Sequence, residues 1–174
     1  MFFYILVLYF LITASHELGH FLAGWYLGIP KNKMTIQLFK YPPQVLLKDD
    51  AGVKVSVENF ERYFEIIEKY IPSEKGFWLY VTGGHIFEFI IVLSLSILAF
   101  SVDFFPLIPV RICVFLILLT SLLYLVFDIV LSLYAKNPCG DFSGAYMLKP
   151  FFTSVFYVIY FCSYIWIYIF FKSN

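Results

Sequence analysis

Four stretches of the chain carry long, nearly unbroken apolar runs, about Phe2–Leu27, Phe77–Phe100, Val110–Tyr134 and Phe151–Phe171. Crossing the hydrocarbon of a bilayer as a helix takes about 20 such residues, so each run is long enough to span. Between the first two the pattern changes. Met34, Ile36 and Leu38 alternate with Thr35 and Gln37, Tyr41-Pro42-Pro43 interrupts, and Val53, Val55 and Val57 alternate again with Lys54 and Ser56. Period-two alternation broken by prolines predicts short strands joined by turns, a small β-hairpin. From about Val57 to Ile71, Phe60, Tyr63, Phe64, Ile67 and Ile71 fall at helical spacing opposite Glu58, Glu61, Arg62, Glu65, Glu68 and Lys69. This predicts an amphipathic interfacial helix stopped by Pro72. Neither an internal repeat nor a low-complexity linker divides the chain. The expected fold is therefore an all-α polytopic membrane protein with about four transmembrane helices and a small membrane-associated β-hairpin. It forms a single membrane-embedded domain over residues 1–174 with residues 28–76 as its polar insertion.

Composition agrees. Hydrophobic residues make up 61% and charged residues 14%, against about 45–50% and about 25% in a soluble globular domain. Twelve basic and twelve acidic residues leave no net charge, which argues against nucleic acid as a partner and leaves the lipid bilayer as the expected environment. Cys113, Cys139 and Cys162 are an odd, scattered set and read as packing residues. The first run lacks a basic leading segment and a small-residue cleavage pattern, so it is expected to stay as a span. With four spans, one side of the membrane holds Lys31, Lys33, Lys40, Lys48, Lys54, Arg62, Lys69, Lys75, Lys136 and Lys149, and the other only Arg111 and Lys172. That asymmetry predicts a multi-pass protein of a cell membrane with loops 28–76 and 135–150 in the cytoplasm.

Ionisable groups within the spans change the picture from architecture to chemistry. His16, Glu17 and His20 lie in the first, His85 and Glu88 in the second, and Asp128 in the third. Such groups are costly in hydrocarbon, and those that occur face a protein interior and mark function. At about 1.5 Å per helical residue, all of them lie roughly 9–16 Å from the cytoplasmic ends of their spans. One buried polar site nearer that face accounts for the shared depth.

The sharpest feature is His16-Glu17-Leu18-Gly19-His20, an H-E-x-x-H sequence on a segment read as helix. Spacing i, i+4 brings two imidazoles to one helix face, where they can take two positions of a tetrahedral zinc, and the adjacent Glu17 can act on water at the metal. The bland reading has the three groups paired with backbone or one another, a costly arrangement within a span. A catalytic zinc takes three protein donors, and Asp141, Asp128 and Glu88 are the carboxylate candidates for the third. Asp141 sits in the turn-rich Asn137-Pro138-Cys139-Gly140-Asp141-Phe142-Ser143-Gly144, on the same side of the membrane as the site. It also reads as a turn or helix-capping residue. Asp128 reads as an acceptor for a ligand histidine or as an interhelical hydrogen-bond partner.

On these motifs the chain resembles the site-2 protease family of intramembrane zinc metalloproteases. His16, Glu17 and His20 match that family's helical motif, and Asn137-Pro138 with Asp141 resemble its later Asp-bearing segment, with Phe142 standing where a glycine is usual. Gly84-His85-Ile86-Phe87-Glu88 occupies the place of the family's Gly-Pro-x-x-Asn element, with His for Pro and Glu for Asn. The resemblance implies a zinc-dependent endopeptidase: His16, His20 and Asp141 on Zn²⁺, Glu17 as general base and then acid, and a membrane protein's transmembrane segment as substrate. His85, Glu88, Asp128 and Asn137 become candidates for orienting a ligand or binding substrate. It also implies a bare catalytic core, with the strand region where relatives carry a membrane-associated hairpin. Two other classes fit the same residues: a divalent-metal transporter or sensor using His16, His20, Glu88 and Asp128, and an inactive membrane scaffold of this fold.

Overall fold

The computed structural model describes residues 2–39, 43–101 and 107–173. Among the described residues, four helices are long and apolar enough to cross a membrane: α1 (Phe2–Tyr26), α3 (Glu74–Ser101), α4 (Leu107–Ala135) and α6 (Pro150–Ser173). They leave Leu11, Ile97, Phe127 and Ile159 exposed, a surface that water penalises and lipid accepts. The protein is accordingly a multi-pass membrane protein. Each helix begins and ends within a few residues of the apolar run that predicted it.

The chain divides into two compact units, and the division runs through the middle of α1 and α3. The sheet unit is Thr13–Phe87; the helical unit is Met1–Ile12 with Glu88–Asn174.

In the sheet unit, β1 (Met34–Gln37), β2 (Gln44–Lys48) and β3 (Lys54–Val55) form an antiparallel sheet in the order β1-β2-β3, with Ile36 opposite Val45 and Leu47 opposite Val55. The sheet thus has three strands where alternation predicted the two of a hairpin. The added strand is the central one: Gln44, Val45, Leu46 and Leu47 are all buried. A strand covered on both faces is continuously apolar and carries no period-two signal. The predicted Tyr41-Pro42 break lies outside the described residues. Asp49 makes the β2–β3 turn by accepting the Val53 N–H at 2.8 Å, with Gly52 at φ +79°, a conformation that glycine adopts without strain.

The predicted amphipathic helix is α2 (Phe60–Tyr70). It covers the sheet with Tyr63, Ile66 and Ile67, and the Tyr63 hydroxyl donates to the Val45 carbonyl at 2.8 Å. Its polar face reaches the β2–β3 turn, where Arg62 pairs with Asp49 and Lys69 donates to both oxygens of Asp50 at 2.8 and 2.9 Å. The Lys69 ammonium holds the Asp50 carboxyl below its ordinary range. Both groups are exposed, so this pair adds little to stability.

The helical unit closes around Val92, Val114, Ile117, Tyr160, Tyr164 and Ile167. A short helix, α5 (Asp141–Leu148), precedes α6, and Thr153 of α6 donates to the Ala145 carbonyl near its end at 2.8 Å.

Candidate metal centre

The sheet unit assembles the histidines. On α1, His16 and His20 lie one turn apart, and α3 approaches them through glycines. A Cβ added at Gly19 would stand 2.5 Å from the Gly83 carbonyl oxygen and 2.9 Å from the Gly84 Cα. One added at Gly83 would stand 2.7 Å from the Ala23 Cβ. Small residues at these positions let two membrane helices touch backbone to backbone.

That close approach places the α3 backbone within reach of an α1 side chain. His20 Nδ1 lies 3.0 Å from the Tyr80 carbonyl oxygen. A carbonyl only accepts, so Nδ1 carries the proton, and the Nε2 lone pair is left facing away from that bond. His20 Nε2 stands 3.1 Å from His16 Nε2. Tyr80 is itself anchored: its hydroxyl lies 2.7 Å from that of Tyr63, which donates to Val45. A chain of hydrogen bonds thus runs from the central strand through α2 to the helix that orients His20. Glu17 is buried on the same turn of α1.

His85 joins this group from α3. Its ring stands edge-on to that of His16, with centroids 4.7 Å apart and planes at 78°. The chain's three histidines are therefore gathered in one unit, His16 at the middle.

The predicted carboxylates and Asn137 belong, by contrast, to the helical unit. Asp128, buried on α4, accepts the Ser143 N–H at 2.8 Å through Oδ2 and the Ser132 hydroxyl at 3.0 Å through Oδ1. Ser143 is the third residue of α5, and the residue before that helix is Gly140, which has no side chain to accept its amide. Asp128 supplies the cap from another helix. Glycine is needed there, because a Cβ at residue 140 would stand 2.7 Å from the Asp128 Cγ and 2.6 Å from the Tyr124 hydroxyl. The Ser143 hydroxyl accepts from the Cys139 and Gly140 amides at 3.0 and 3.1 Å. Asp141, half-buried, is the first residue of α5, at the positive end of its dipole. Asn137 is exposed in the preceding loop. Glu88 is buried on α3 and accepts the Tyr160 hydroxyl at 3.2 Å, with Ser121 a further 3.2 Å from that hydroxyl.

Removing the Asp128 carboxylate strands the Ser143 amide at the start of α5. The Asp128→Ala protein is expected to lose about 1–3 kcal/mol of stability, measured as a lower thermal midpoint in detergent.

No protein family, curated protein or solved structure matched the chain.

Proposed function

We propose that the protein is a zinc-dependent intramembrane endopeptidase, with His16 and His20 holding the metal, Asp141 as the third donor and Glu17 as the general base. The observation that carries this reading is the pair of Nε2 atoms 3.1 Å apart, one of them fixed by the bond from His20 Nδ1 to the Tyr80 carbonyl. Metal-binding histidines commonly donate their second ring nitrogen in this way, which sets the tautomer and the ring's direction. The spacing also suits an ion. Two nitrogens each about 2.0–2.1 Å from a tetrahedral zinc stand about 3.3–3.4 Å apart, and the observed distance needs only a slight opening. The residues therefore fit the metal.

Zinc, when bound, polarises a peptide carbonyl and lowers the pKa of a coordinated water toward about 7. Glu17 is then the residue that takes a proton from the attacking water and returns it to the departing amine, so the carboxylate ends the cycle as it began. Burial of Glu17 and His20 keeps bulk solvent from this exchange. Asp128 acts at a distance by fixing the first turn of α5, which begins with Asp141. The substrate class is a transmembrane or membrane-proximal segment of another protein. With loops 28–76 and 135–150 cytoplasmic in a cell membrane, as the basic residues predict, cleavage falls nearer the cytoplasmic face.

The test is metal content joined to activity. Protein purified in mild detergent is expected to carry one zinc per chain and to cleave a transmembrane reporter. A chelator should abolish cleavage and added zinc restore it. Wild-type protein without stoichiometric zinc, or cleavage indifferent to chelation, overturns the proposal.

A further inference from the structure

The H-E-x-x-H spacing accounts for two of the three histidines and does not include His85, which is 3% exposed and lies in a membrane span. We propose that His85 is a further metal-binding residue, so that three imidazoles from α1 and α3 grip the ion within the sheet unit alone. This rests on the reading of His16 and His20 as a metal site.

Three observations lead here. The first is position: the His85 ring lies edge-on to His16 with centroids 4.7 Å apart, and the His20 ring stands 4.8 Å from the same His16 ring. The second is reach. A donor nitrogen of His85 lies within 4.8 Å of one on His16, and two donors on one ion stand at most about 4.2 Å apart, so a modest ring rotation brings His85 in. The third is the backbone beside it. Gly84 leaves its Cβ position vacant against both ligand rings, 2.6 Å from His16 Nε2 and 2.7 Å from His20 Nε2, so the segment that carries His85 runs directly against the two imidazoles.

Three neutral imidazoles would leave the full double charge of the ion in place, which favours a carboxylate as the fourth donor. Four protein donors close a zinc site, whereas a catalytic one keeps a position open. For catalysis His85, the donor outside the H-E-x-x-H sequence, would be the one to give up its position to water or substrate. It is thus a resting-state ligand.

Cobalt(II) is the probe, added to the full-length protein in detergent after metal removal. The wild type is expected to give the intense visible spectrum of four-coordinate cobalt. His85→Gln should bind cobalt at least about tenfold more weakly, with weaker bands as solvent replaces the ring. His85→Cys should bind and add a near-ultraviolet thiolate-to-cobalt charge-transfer band, a signature that a merely structural residue does not produce. A His85→Gln spectrum identical to wild type, or a folded His85→Cys protein that binds cobalt without the charge-transfer band, overturns the assignment of His85 while leaving the His16–His20 site standing. A wild type that takes up no cobalt, or a His16→Gln protein that binds it as the wild type does, overturns the metal site itself.

Discussion

Glu17→Gln is expected to slow cleavage of a transmembrane reporter by about 10²–10⁴-fold, the usual contribution of a positioned general base, while zinc stays at one per chain. The substitution keeps the size and shape of a side chain buried on α1 and leaves both imidazoles and the Tyr80 bond in place. What it removes is the ability to hold a proton between the attack of water and the departure of the amine. Glutamine cannot do this at any accessible pH. The experiment also separates the function classes that the composition and motifs admit. A transporter or sensor needs donors for its ion and has no use for a base one residue from a ligand, so its ion flux or binding would survive the change. A scaffold would carry no stoichiometric zinc in either form. Undiminished cleavage with zinc retained would remove Glu17 from the reaction. The measurements are metal analysis and steady-state cleavage on the same preparations.

Much of the fold is legible in the chain because the bilayer demands a crude signal. A run of apolar residues long enough to span predicted α1, α3, α4 and α6, and the structure moves their ends by only a few residues. Two elements escaped for identifiable reasons. The central strand β2 is buried on both faces, so Val45-Leu46-Leu47 shows no alternation, and the neighbouring edge strands supplied all of the periodic signal. Helix α5 begins where Asn137-Pro138 and Gly140 read as a break, and the residue before its first turn, Gly140, has no side chain to cap it. The cap comes from Asp128, on α4, a pairing that local sequence does not display.

The site divides in the same way. Spacing alone places His16 and His20 on one face, and the pair Gly83-Gly84 signals a close helix approach. The acceptor that fixes the His20 tautomer is invisible, because it is the Tyr80 backbone carbonyl and any residue there would offer one. His85 and Glu88 were legible as costly polar residues of one span and as candidates for orienting a ligand or binding substrate, with Glu88 also a candidate third donor. In the structure Glu88 accepts from Tyr160 and the His85 ring packs on His16. Depth along the membrane was readable from the sequence, but the side on which each residue points was not.

The glycine between these elements yields the second large expected effect. Gly84→Ala is predicted to weaken zinc binding by at least about 100-fold, the upper end of what losing one partner of a ligand costs, because it disturbs both proposed ligands together. The new Cβ would lie 2.6 Å from both Cε1 and Nε2 of His16 and 2.7 Å from His20 Nε2, far inside van der Waals contact. Either α1 and α3 separate, which breaks the His20–Tyr80 bond, or the rings turn, which parts the two Nε2 atoms. Both routes dismantle the site. The sign of the stability change adds a second readout. Gly→Ala inside a helix ordinarily stabilises by roughly 0.5–1 kcal/mol, whereas overpacking a tight contact costs about 1–3 kcal/mol, so the thermal midpoint should fall. Gly19→Ala serves as the comparison, since its Cβ would strike the Gly83 carbonyl and the Gly84 Cα and so load the helix contact before the rings. If Gly84→Ala kept its zinc and melted higher than wild type, the close approach of α3 to the two imidazoles would be refuted, and with it the reason for a glycine at that position.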